Sequence, residues 1–411
     1  MANNNKHTGP NVPALRFPEF SGEWEQHSLS DYLRFKNGLN PDAKRFGKGI
    51  KFISVMDILN NASISYDCVR ASVAATEQEI SDFEVEYGDV LFQRSSETLE
   101  DIGRSNIYVD SRHCVFGGFV IRGKKVGEYE PYFMKYRLDS PYARKSIIVK
   151  GAGAQHFNIG QDGLSKVELF FPKYEEQVKI GDLLRIIDDR INTQSKIIEE
   201  LKTLRGALNE SLYCCCESYQ ELSFNDVGVS YSGLSGKSGN DFGSGYPFIP
   251  YTNIFTNNII DEGQLEYVQV REDESQNSVC FGDLLMTLSS ETPEEVGIGA
   301  VYLGHESPLY LNSFAFGIHI TRTDLVYPPY LSWLVSTKSF RKFILPYAQG
   351  STRYNLQKTD FMKAKYRFPT LRRQKAISEL LSGYSSKIEN EERVLNKYTA
   401  LKQGLIEQLF I

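Results

Sequence analysis

The sequence predicts an α+β protein in which two similar mixed α/β domains are separated by two long helices. Three observations carry this prediction. The chain of 411 residues is longer than the roughly 100 to 200 residues of one ordinary domain. Motifs recur along it with an offset of 194 to 197 residues, which indicates a pseudo-two-fold internal repeat. Each copy ends in a stretch with the apolar spacing of a coiled-coil helix.

The repeat is clearest in a two-part motif that occurs once in each half of the chain. Gly88-Asp-Val-Leu-Phe92 and the following Ser95-Ser-Glu-Thr98 reappear as Gly282-Asp-Leu-Leu-Met286 and Ser289-Ser-Glu-Thr292. Both parts of the motif are displaced by 194 residues. Two matches in register are not expected by chance, so the chain contains two copies of one unit.

A long helix is predicted after a Phe-Pro pair in each copy, at Pro172 and at Pro369, because proline is a common helix-start residue. The residues that follow are apolar at intervals of three and four, as on the seam of a coiled coil. In the two copies they are Ile180, Leu184, Ile187, Ile191, Ile198, Leu201, Leu204, Leu208 and Leu212, then Ile377, Leu381, Tyr384, Ile388, Leu395, Tyr398, Leu401, Leu405 and Leu409. Helices of this length exceed what a small domain needs, so we expect an antiparallel coiled coil. The alternative is that each helix belongs to the core of its own domain.

These signals divide the chain into four parts. We expect a first globular domain at 1–173, a first spacer helix at 174–217, a second globular domain at 218–370 and a second spacer helix at 371–411. Runs rich in β-forming residues predict short strands at 50–55, 89–93, 116–121, 247–250, 278–288 and 314–321. A short helix is predicted at 132–146 and at its counterpart, 330–343.

Composition narrows the class of protein. A hydrophobic content of 41% with 24% charged residues is typical of a folded chain. The polar N-terminus and the absence of a long apolar run predict neither secretion nor a membrane span, and we expect a cytoplasmic protein. The six cysteines and six histidines show no metal-ligand spacing, so neither a disulfide framework nor a metal site is predicted.

No catalytic motif is complete in the sequence. Gly236-Lys-Ser238 ends like a phosphate-binding loop, but Tyr231 stands where that motif needs its first glycine. Tyr327-Pro-Pro-Tyr330 looks like a loop of amino-methyltransferases, yet Tyr327 offers no amide or carboxylate oxygen to hold a target amine. We therefore predict a protein without catalytic residues.

Positive charge is concentrated in loops although the formal net charge is -6. The stretch Arg34–Lys51 holds six basic residues against one acidic residue, and Lys338–Arg373 holds ten against one. A third basic stretch, Lys135–Lys150, aligns with the start of the second. Basic loops that carry aromatic residues favour a nucleic-acid surface, while the alternative is an ordinary solvated face.

Two segments carry a resemblance to a known family. The first is Pro13-Ala-Leu-Arg-Phe-Pro-Glu-Phe20, followed by Trp24 and by Leu29-Ser-Asp31. The second is Phe171-Pro, followed by Glu175-Glu-Gln-Val-Lys-Ile180. Together with the duplicated layout, they resemble the specificity subunits of bacterial type I restriction-modification enzymes. The second copy departs from this pattern, since Arg372 and Arg373 replace the paired glutamates.

The resemblance implies a DNA-reading subunit that has no cofactor of its own. Two target-recognition domains would each read one half of an asymmetric bipartite target in double-stranded DNA. The helix pair would dock two methyltransferase subunits, which bind S-adenosylmethionine and methylate adenine, and restriction and translocase subunits would join through them. The alternative is a two-domain protein-binding scaffold with coiled-coil assembly helices and no DNA specificity.

The candidate DNA contacts lie on predicted loops, where small residues let the backbone approach a ligand and polar side chains can reach base edges. We expect base contacts from Arg94, Arg104, Gln155, His156, Ser289, Ser290, Gln349, Thr352 and Arg353. We expect phosphate contacts from Lys36, Lys44, Arg45, Lys48, Lys51, Lys150, Arg341 and Lys342. The alternative for these loops is a tight turn with polar surface residues.

Overall fold

The computed structural model of the protein describes residues 11–153, 156–216 and 218–411. The chain divides into two compact units. Unit 1 extends to Ser195 and also takes in Arg393–Ile411, whereas unit 2 is Lys196–Glu392. Each unit therefore combines one globular domain with part of both long helices.

Unit 1 contains twelve short strands among its described residues. They are β1 (Glu25–Ser28), β2 (Leu33–Asn37), β3 (Phe46–Ile53), β4 (Ser72–Val73), β5 (Glu84–Val85), β6 (Val90–Gln93), β7 (Ser95–Ser96), β8 (Ser105–Ile107), β9 (Cys114–Phe116), β10 (Val120–Lys125), β11 (Phe157–Asn158) and β12 (Glu168–Phe171). The helices are α1 (Leu29–Tyr32), α2 (Val55–Asn60), α3 (Glu77–Phe83), α4 (Pro131–Asp139), α5 (Pro141–Ile148), α6 (Gln161–Ser165) and α7 (Tyr174–Cys214), the last of which continues into unit 2.

The strands of unit 1 form two four-stranded sheets and two strand pairs. One sheet has the order β2-β10-β6-β8 and is antiparallel. The other has the order β4-β3-β9-β5, in which β3 and β9 are parallel. The main core lies where the first sheet packs on α4 and α5, with Phe92 and Ile121 from the sheet, and Phe133 and Ile147 from the helices, all buried. Burial of these apolar side chains is the main stabilising contribution.

The helix predicted at 132–146 is two helices. Glu130 caps the start of α4 by accepting from the backbone N–H of Phe133, and Pro131 occupies the first helical position. Ser140 ends α4 and at the same time caps α5, which begins with Pro141. A proline cannot donate the hydrogen bond that would continue the first helix, so the chain breaks there.

Unit 2 contains a matching set of elements. Its strands are β13 (Tyr219–Ser223), β14 (Gly228–Ser232), β15 (Phe242–Ile249), β16 (Glu266–Val268), β17 (Leu284–Thr287), β18 (Ser289–Ser290), β19 (Gly299–Val301), β20 (Tyr310–Leu311), β21 (Ala315–Ile320), β22 (Ala348–Gln349), β23 (Tyr354–Leu356) and β24 (Lys365–Pro369). Its helices are α8 (Phe224–Val227), α9 (Tyr251–Thr256), α10 (Pro328–Leu334), α11 (Lys338–Ile344), α12 (Lys358–Lys363) and α13 (Leu371–Leu409), the last of which continues into unit 1.

The topology of unit 2 repeats that of unit 1 and confirms the predicted internal repeat. The sheet β14-β21-β17-β19 corresponds to β2-β10-β6-β8, and β15 pairs in parallel with β20 as β3 does with β9. The predicted strand 278–288 is shorter, because the Asp283 carboxylate accepts from the backbone N–H of Cys280 and holds a turn before β17. Unit 1 has the additional elements α3 and β5, whereas unit 2 has the additional strand β22.

The two long helices pack together within each unit, as predicted. In unit 2, Lys202 pairs with Glu392 at 2.6 Å and Arg205 bonds to Ser385 at 2.8 Å. The residue numbers rise along α7 while they fall along α13, so the two helical segments are antiparallel. In unit 1 the end of α13 places Ile406, Leu409 and Phe410 in the core, together with Ile180 and Leu184 of α7. The Asp188 carboxylate accepts from the Lys402 ammonium at 2.6 Å and from the Tyr136 hydroxyl at 2.7 Å.

Two equivalent positions of the predicted seam are more exposed than its other residues. Leu204 and Leu401 are 45% and 50% exposed, so the seam is not continuous at these points. Among the described residues, no helix has the length and apolar character needed to span a membrane.

Candidate nucleic-acid interface

A β-hairpin projects from the domain of unit 2 beside the second Ser-Ser-Glu-Thr motif. Its strands are β22 and β23, and β23 also pairs with β18 of that motif. Gly350 in the hairpin tip has a φ of 152°, and a Cβ there would lie 2.1 Å from the carbonyl oxygen of Arg353. Only glycine fits this tip. Gln349, Thr352 and Arg353, which the sequence predicted as base contacts, are exposed on it.

A cavity of about 720 Å³ opens between this hairpin, the Ser-Ser-Glu-Thr loop and helix α9. Four of the residues predicted from sequence meet in its wall, namely Ser289, Ser290, Thr352 and Arg353. The other lining residues are Tyr251, Phe255, Glu291, Glu295 and Phe314. The cavity therefore combines aromatic surface with carboxylate acceptors and a guanidinium donor, which is a chemistry suited to a nucleobase.

The two serines in the cavity wall are mostly buried. Ser289 is 6% and Ser290 is 8% exposed. The Ser290 hydroxyl donates to the Glu295 carboxylate at 2.8 Å, and the Tyr251 hydroxyl donates to the Ser289 carbonyl at 3.0 Å. Both serines are thus engaged in shaping the cavity, and the exposed donors at its rim are those of the hairpin tip.

Unit 1 has the equivalent hairpin, with different side chains. β7 of the first Ser-Ser-Glu-Thr motif pairs with β11, and Ala152 bridges to Asn158. Gly153 repeats the tip glycine with a φ of 146°. His156 is exposed at the position that Arg353 holds in unit 2. Gln155, predicted to contact a base, lies outside the described residues and stays a prediction.

An arginine clamp holds the loop after each Ser-Ser-Glu-Thr motif. Arg144 on α5 donates to the carbonyls of Glu100, Ile102 and Gly103 at 2.6 to 2.9 Å. Arg341 on α11 makes the same three bonds, at 2.6 to 2.8 Å, to the carbonyls of Glu294, Val296 and Gly297. Burial lowers the pKa of both guanidinium groups, that of Arg144 to about 10. The sequence predicted Arg341 as a phosphate contact, but the structure places its donors inside the protein.

The basic residues predicted near the start of unit 1 fall into two groups. Three of them are used internally, since Lys36 binds Asp82, Arg45 binds Glu79 and the Lys51 ammonium donates to the Val69 carbonyl. The others are exposed to solvent, namely Lys44 and Lys48, together with Lys150 in unit 1 and Lys342 in unit 2. Their ammonium groups are available to phosphate.

The remaining two predicted base contacts are on the Ser-Ser-Glu-Thr side of unit 1. The half-buried Arg94 guanidinium donates to the Gly118 carbonyl at 3.3 Å. Arg104 is exposed, and its guanidinium lies 3.2 Å from the Asp101 carboxylate. Arg94 therefore borders the turn before β10, and part of the donor capacity of both residues is already used.

Two exposed aromatic residues at equivalent positions were missed by the sequence reasoning. Phe119 precedes β10 and is 71% exposed, and Phe314 precedes β21 and is 54% exposed. The Arg353 guanidinium lies 5.6 Å from the centre of the Phe314 ring. An exposed phenylalanine at the same turn in both copies makes these two residues candidates for a contact surface. The repeat itself carried this signal, because both residues stand directly before a strand of the same sheet.

Comparisons with known proteins agree with this reading of the fold. Residues 21–203 match the family described as type I restriction modification DNA specificity domain. The chain is similar to the crystal structure of the type I restriction-modification system S subunit from M. genitalium, with 14% identity and a TM-score of 0.56 over 97% of this chain and 99% of that one. It is also similar to a chain in a structure on complex assembly and conformational transition of the type I R-M system, with 11% identity and a TM-score of 0.59 over 94% and 97%. No curated protein sequence matches the chain significantly.

The family match covers the domain of unit 1 and most of α7, and unit 2 repeats the same fold. The similarity to the solved structures, at these identities, shows that the fold is shared along almost the whole chain. A protein-binding scaffold without DNA specificity is not favoured by these matches. Residues 21–203 thus match the type I restriction modification DNA specificity domain, and the fold of solved type I restriction-modification S subunits extends along almost the whole chain.

Proposed function

We propose that each domain reads one half of an asymmetric, bipartite target in double-stranded DNA. The observation that carries this proposal is the cavity of unit 2, in which residues from the hairpin, the Ser-Ser-Glu-Thr loop and the turn before β21 meet. Residues that are distant in sequence but converge on one concave surface are expected at a reading site.

In unit 2 the side chains divide into donors and acceptors. Arg353, Thr352 and Gln349 supply donors for guanine, for adenine or for phosphate oxygens. Glu291 and Glu295 supply acceptors that match the amino group of cytosine or adenine. Phe314 supplies an apolar face for a thymine methyl group or for stacking against a base.

In unit 1 the proposed base contacts are His156, Arg94, Arg104 and Gln155, with Phe119 as the apolar contact. Lys44, Lys48 and Lys150 are proposed to bind phosphate, because their side chains are exposed. His156 occupies in unit 1 the hairpin position that Arg353 occupies in unit 2. The two side chains offer different donors, which supports an asymmetric target.

The partners are proposals as well. We propose that the chain assembles with two methyltransferase subunits that bind S-adenosylmethionine and methylate adenine, and through them with restriction and translocase subunits. No cofactor is proposed for this chain itself, and the cytoplasm is its proposed location. Much of the phosphate neutralisation would come from the partners, which is consistent with the formal net charge of -6.

The test is to map adenine methylation in cells that produce a cognate methyltransferase subunit with and without this chain. We expect one gapped, two-part, asymmetric motif whose methylation depends on the chain. If no methylated motif depends on the chain, the proposal fails.

A matched pair of variants tests the cavity. Arg353→Ala should reduce methylation at sites that carry the natural second half, since one good base contact is worth about 1 to 3 kcal/mol. Arg271→Ala removes an arginine that is exposed on the same unit and pairs with Asp273 and Glu274 outside the cavity. It should leave the motif unchanged, and equal losses from both variants would contradict a reading role for Arg353.

A further inference from the structure

Three side chains of the kinds that bind transition metals meet at one end of the two central strands of the main sheet of unit 2. Cys280 and Asp283 lie in the turn before β17, and His319 lies on β21, the neighbouring strand. The Cys280 thiol, an Asp283 oxygen and an imidazole nitrogen of His319 all lie within 4.8 Å of one another. Thiolate, carboxylate and imidazole are the ligands that Zn²⁺ takes in proteins.

The carboxylate of Asp283 is fully buried and held in a fixed orientation. Its Oδ2 accepts from the backbone N–H of Cys280 at 2.9 Å and from the Tyr231 hydroxyl at 2.6 Å. Its Oδ1 faces Nδ1 of His319 at 2.7 Å. One oxygen is thus anchored by outer hydrogen bonds while the other faces the remaining ligands, as is usual for a metal-binding carboxylate.

The other copy of the repeat shows that the fold does not require a cysteine and a histidine here. In unit 1 the same turn contains Asp89, whose carboxylate accepts from the backbone N–H of Glu86. Glu86 and Lys124 occupy the places of Cys280 and His319, and they form an ion pair of 3.2 Å. Unit 1 therefore ties the turn to the neighbouring strand by opposite charges.

In unit 2 the turn is tied to the neighbouring strand by Asp283 and His319, whose Oδ1 and Nδ1 atoms lie 2.7 Å apart, and the Cys280 thiol lies beside them. A divalent cation would join all three side chains, because a coordinating thiol is deprotonated by the metal. The thiolate and the carboxylate then balance the two positive charges of the ion.

We propose that Cys280, Asp283 and His319 bind one Zn²⁺ ion, which cross-links the turn before β17 to β21 in the recognition domain of unit 2. Cys280 and His319 are exposed, so water can complete a four-coordinate site. Ser289 lies beyond the opposite end of β17, which separates this site from the reading cavity. The ion is thus structural, and the inference does not depend on the proposed function.

The sequence alone did not predict a metal site, because His319 lies 36 residues from Asp283. No short motif contains this set of ligands. Antiparallel pairing of β17 with β21 brings them together, with Leu284 opposite Ile318.

The binding experiment uses the full chain with Cys214, Cys215 and Cys216 replaced by serine, so that these three neighbouring thiols do not compete. The chelator-treated, reduced protein is titrated with Zn²⁺ against a chromophoric chelator, and separately with Co²⁺. We expect one ion per chain and a thiolate-to-cobalt charge-transfer band. Cys280→Ser should abolish the band. Tyr231→Phe, which removes only an outer hydrogen bond, should lower the affinity by about tenfold.

A stability readout separates a cross-link from adventitious binding. Zn²⁺ should raise the unfolding midpoint of unit 2, reported by Trp333, in the serine background but not in Cys280→Ser or His319→Asn. If His319→Asn fails to fold, Cys280→Ser still decides the question, because it exchanges one atom at an exposed residue. The proposal is overturned if no stoichiometric ion binds, or if the ligand variants bind Zn²⁺ as tightly as the parent.

Discussion

Replacing Phe410 by alanine should destabilise unit 1, although this residue is separated by more than 200 positions from the domain that it stabilises. Phe410 is 7% exposed. Its ring centre lies 5.5 Å from that of Phe133 and 6.3 Å from that of Trp24. Truncating a buried phenylalanine to alanine costs about 3 to 5 kcal/mol, because apolar contacts are lost and a cavity remains. We expect a loss of that size in the free energy of unfolding of unit 1.

The chain provides a reporter for each unit, since its only two tryptophans are Trp24 in unit 1 and Trp333 in unit 2. In a Trp333→Phe background, urea unfolding followed by fluorescence reports unit 1. The Trp333 indole N–H has no hydrogen-bond partner among the described residues, so the Trp333→Phe substitution removes no hydrogen bond of this indole. The midpoint reported by Trp24 should fall by at least about 1 M urea in Phe410→Ala.

The matched control is Leu401→Ala on α13, the helix that ends directly before Phe410. Leu401 is also apolar but 50% exposed, so its truncation should change the free energy of unfolding by no more than about 0.5 kcal/mol. A loss below about 1 kcal/mol in Phe410→Ala, or an equal loss in both variants, would refute the assignment of the chain end to the core of unit 1.

Three further predictions concern the recognition domains. Phe314→Ala should weaken DNA binding by the assembled complex by about 1 to 3 kcal/mol. The control is Tyr267→Ala, which truncates another exposed aromatic residue of unit 2 and should have no effect in the same binding assay. Arg341→Lys should lower the free energy of unfolding of unit 2 by about 2 to 3 kcal/mol, because one ammonium cannot replace three guanidinium bonds. Trp333 fluorescence measures this loss. If Arg341 were only a phosphate contact, the stability would not change. The hydrogen bond from Arg45 lowers the pKa of Glu79 from 4.5 to about 2. The natural protein should therefore be more stable than Glu79→Gln above pH 4.5, and this difference in stability should disappear as the pH falls towards 2. A constant difference in thermal midpoint across this range would contradict the ion pair.

Several features of the candidate cavity could be predicted from local sequence, and others could not. The exposure of Thr352 and Arg353 was predictable, because a tip glycine with polar residues at the end of a β-rich copy indicates a projecting turn. The bond from Ser290 to Glu295 in the cavity wall depends on the path of the loop between them. The bonds of Arg341 to the loop could not be predicted for a similar reason, since a basic residue on a short helix looks the same in sequence whether it faces solvent or a neighbouring loop.

The sequence by itself determined the internal repeat, the two long helices and the family resemblance, because each rests on periodicity or on residues close together along the chain. Only the tertiary structure decided which side chains meet. It placed Phe410 beside Trp24, and His319 beside Cys280. These contacts arise from strand pairing and from the return of α13 to unit 1. Burial of apolar surface drives both, and it acts between residues whatever their separation in sequence.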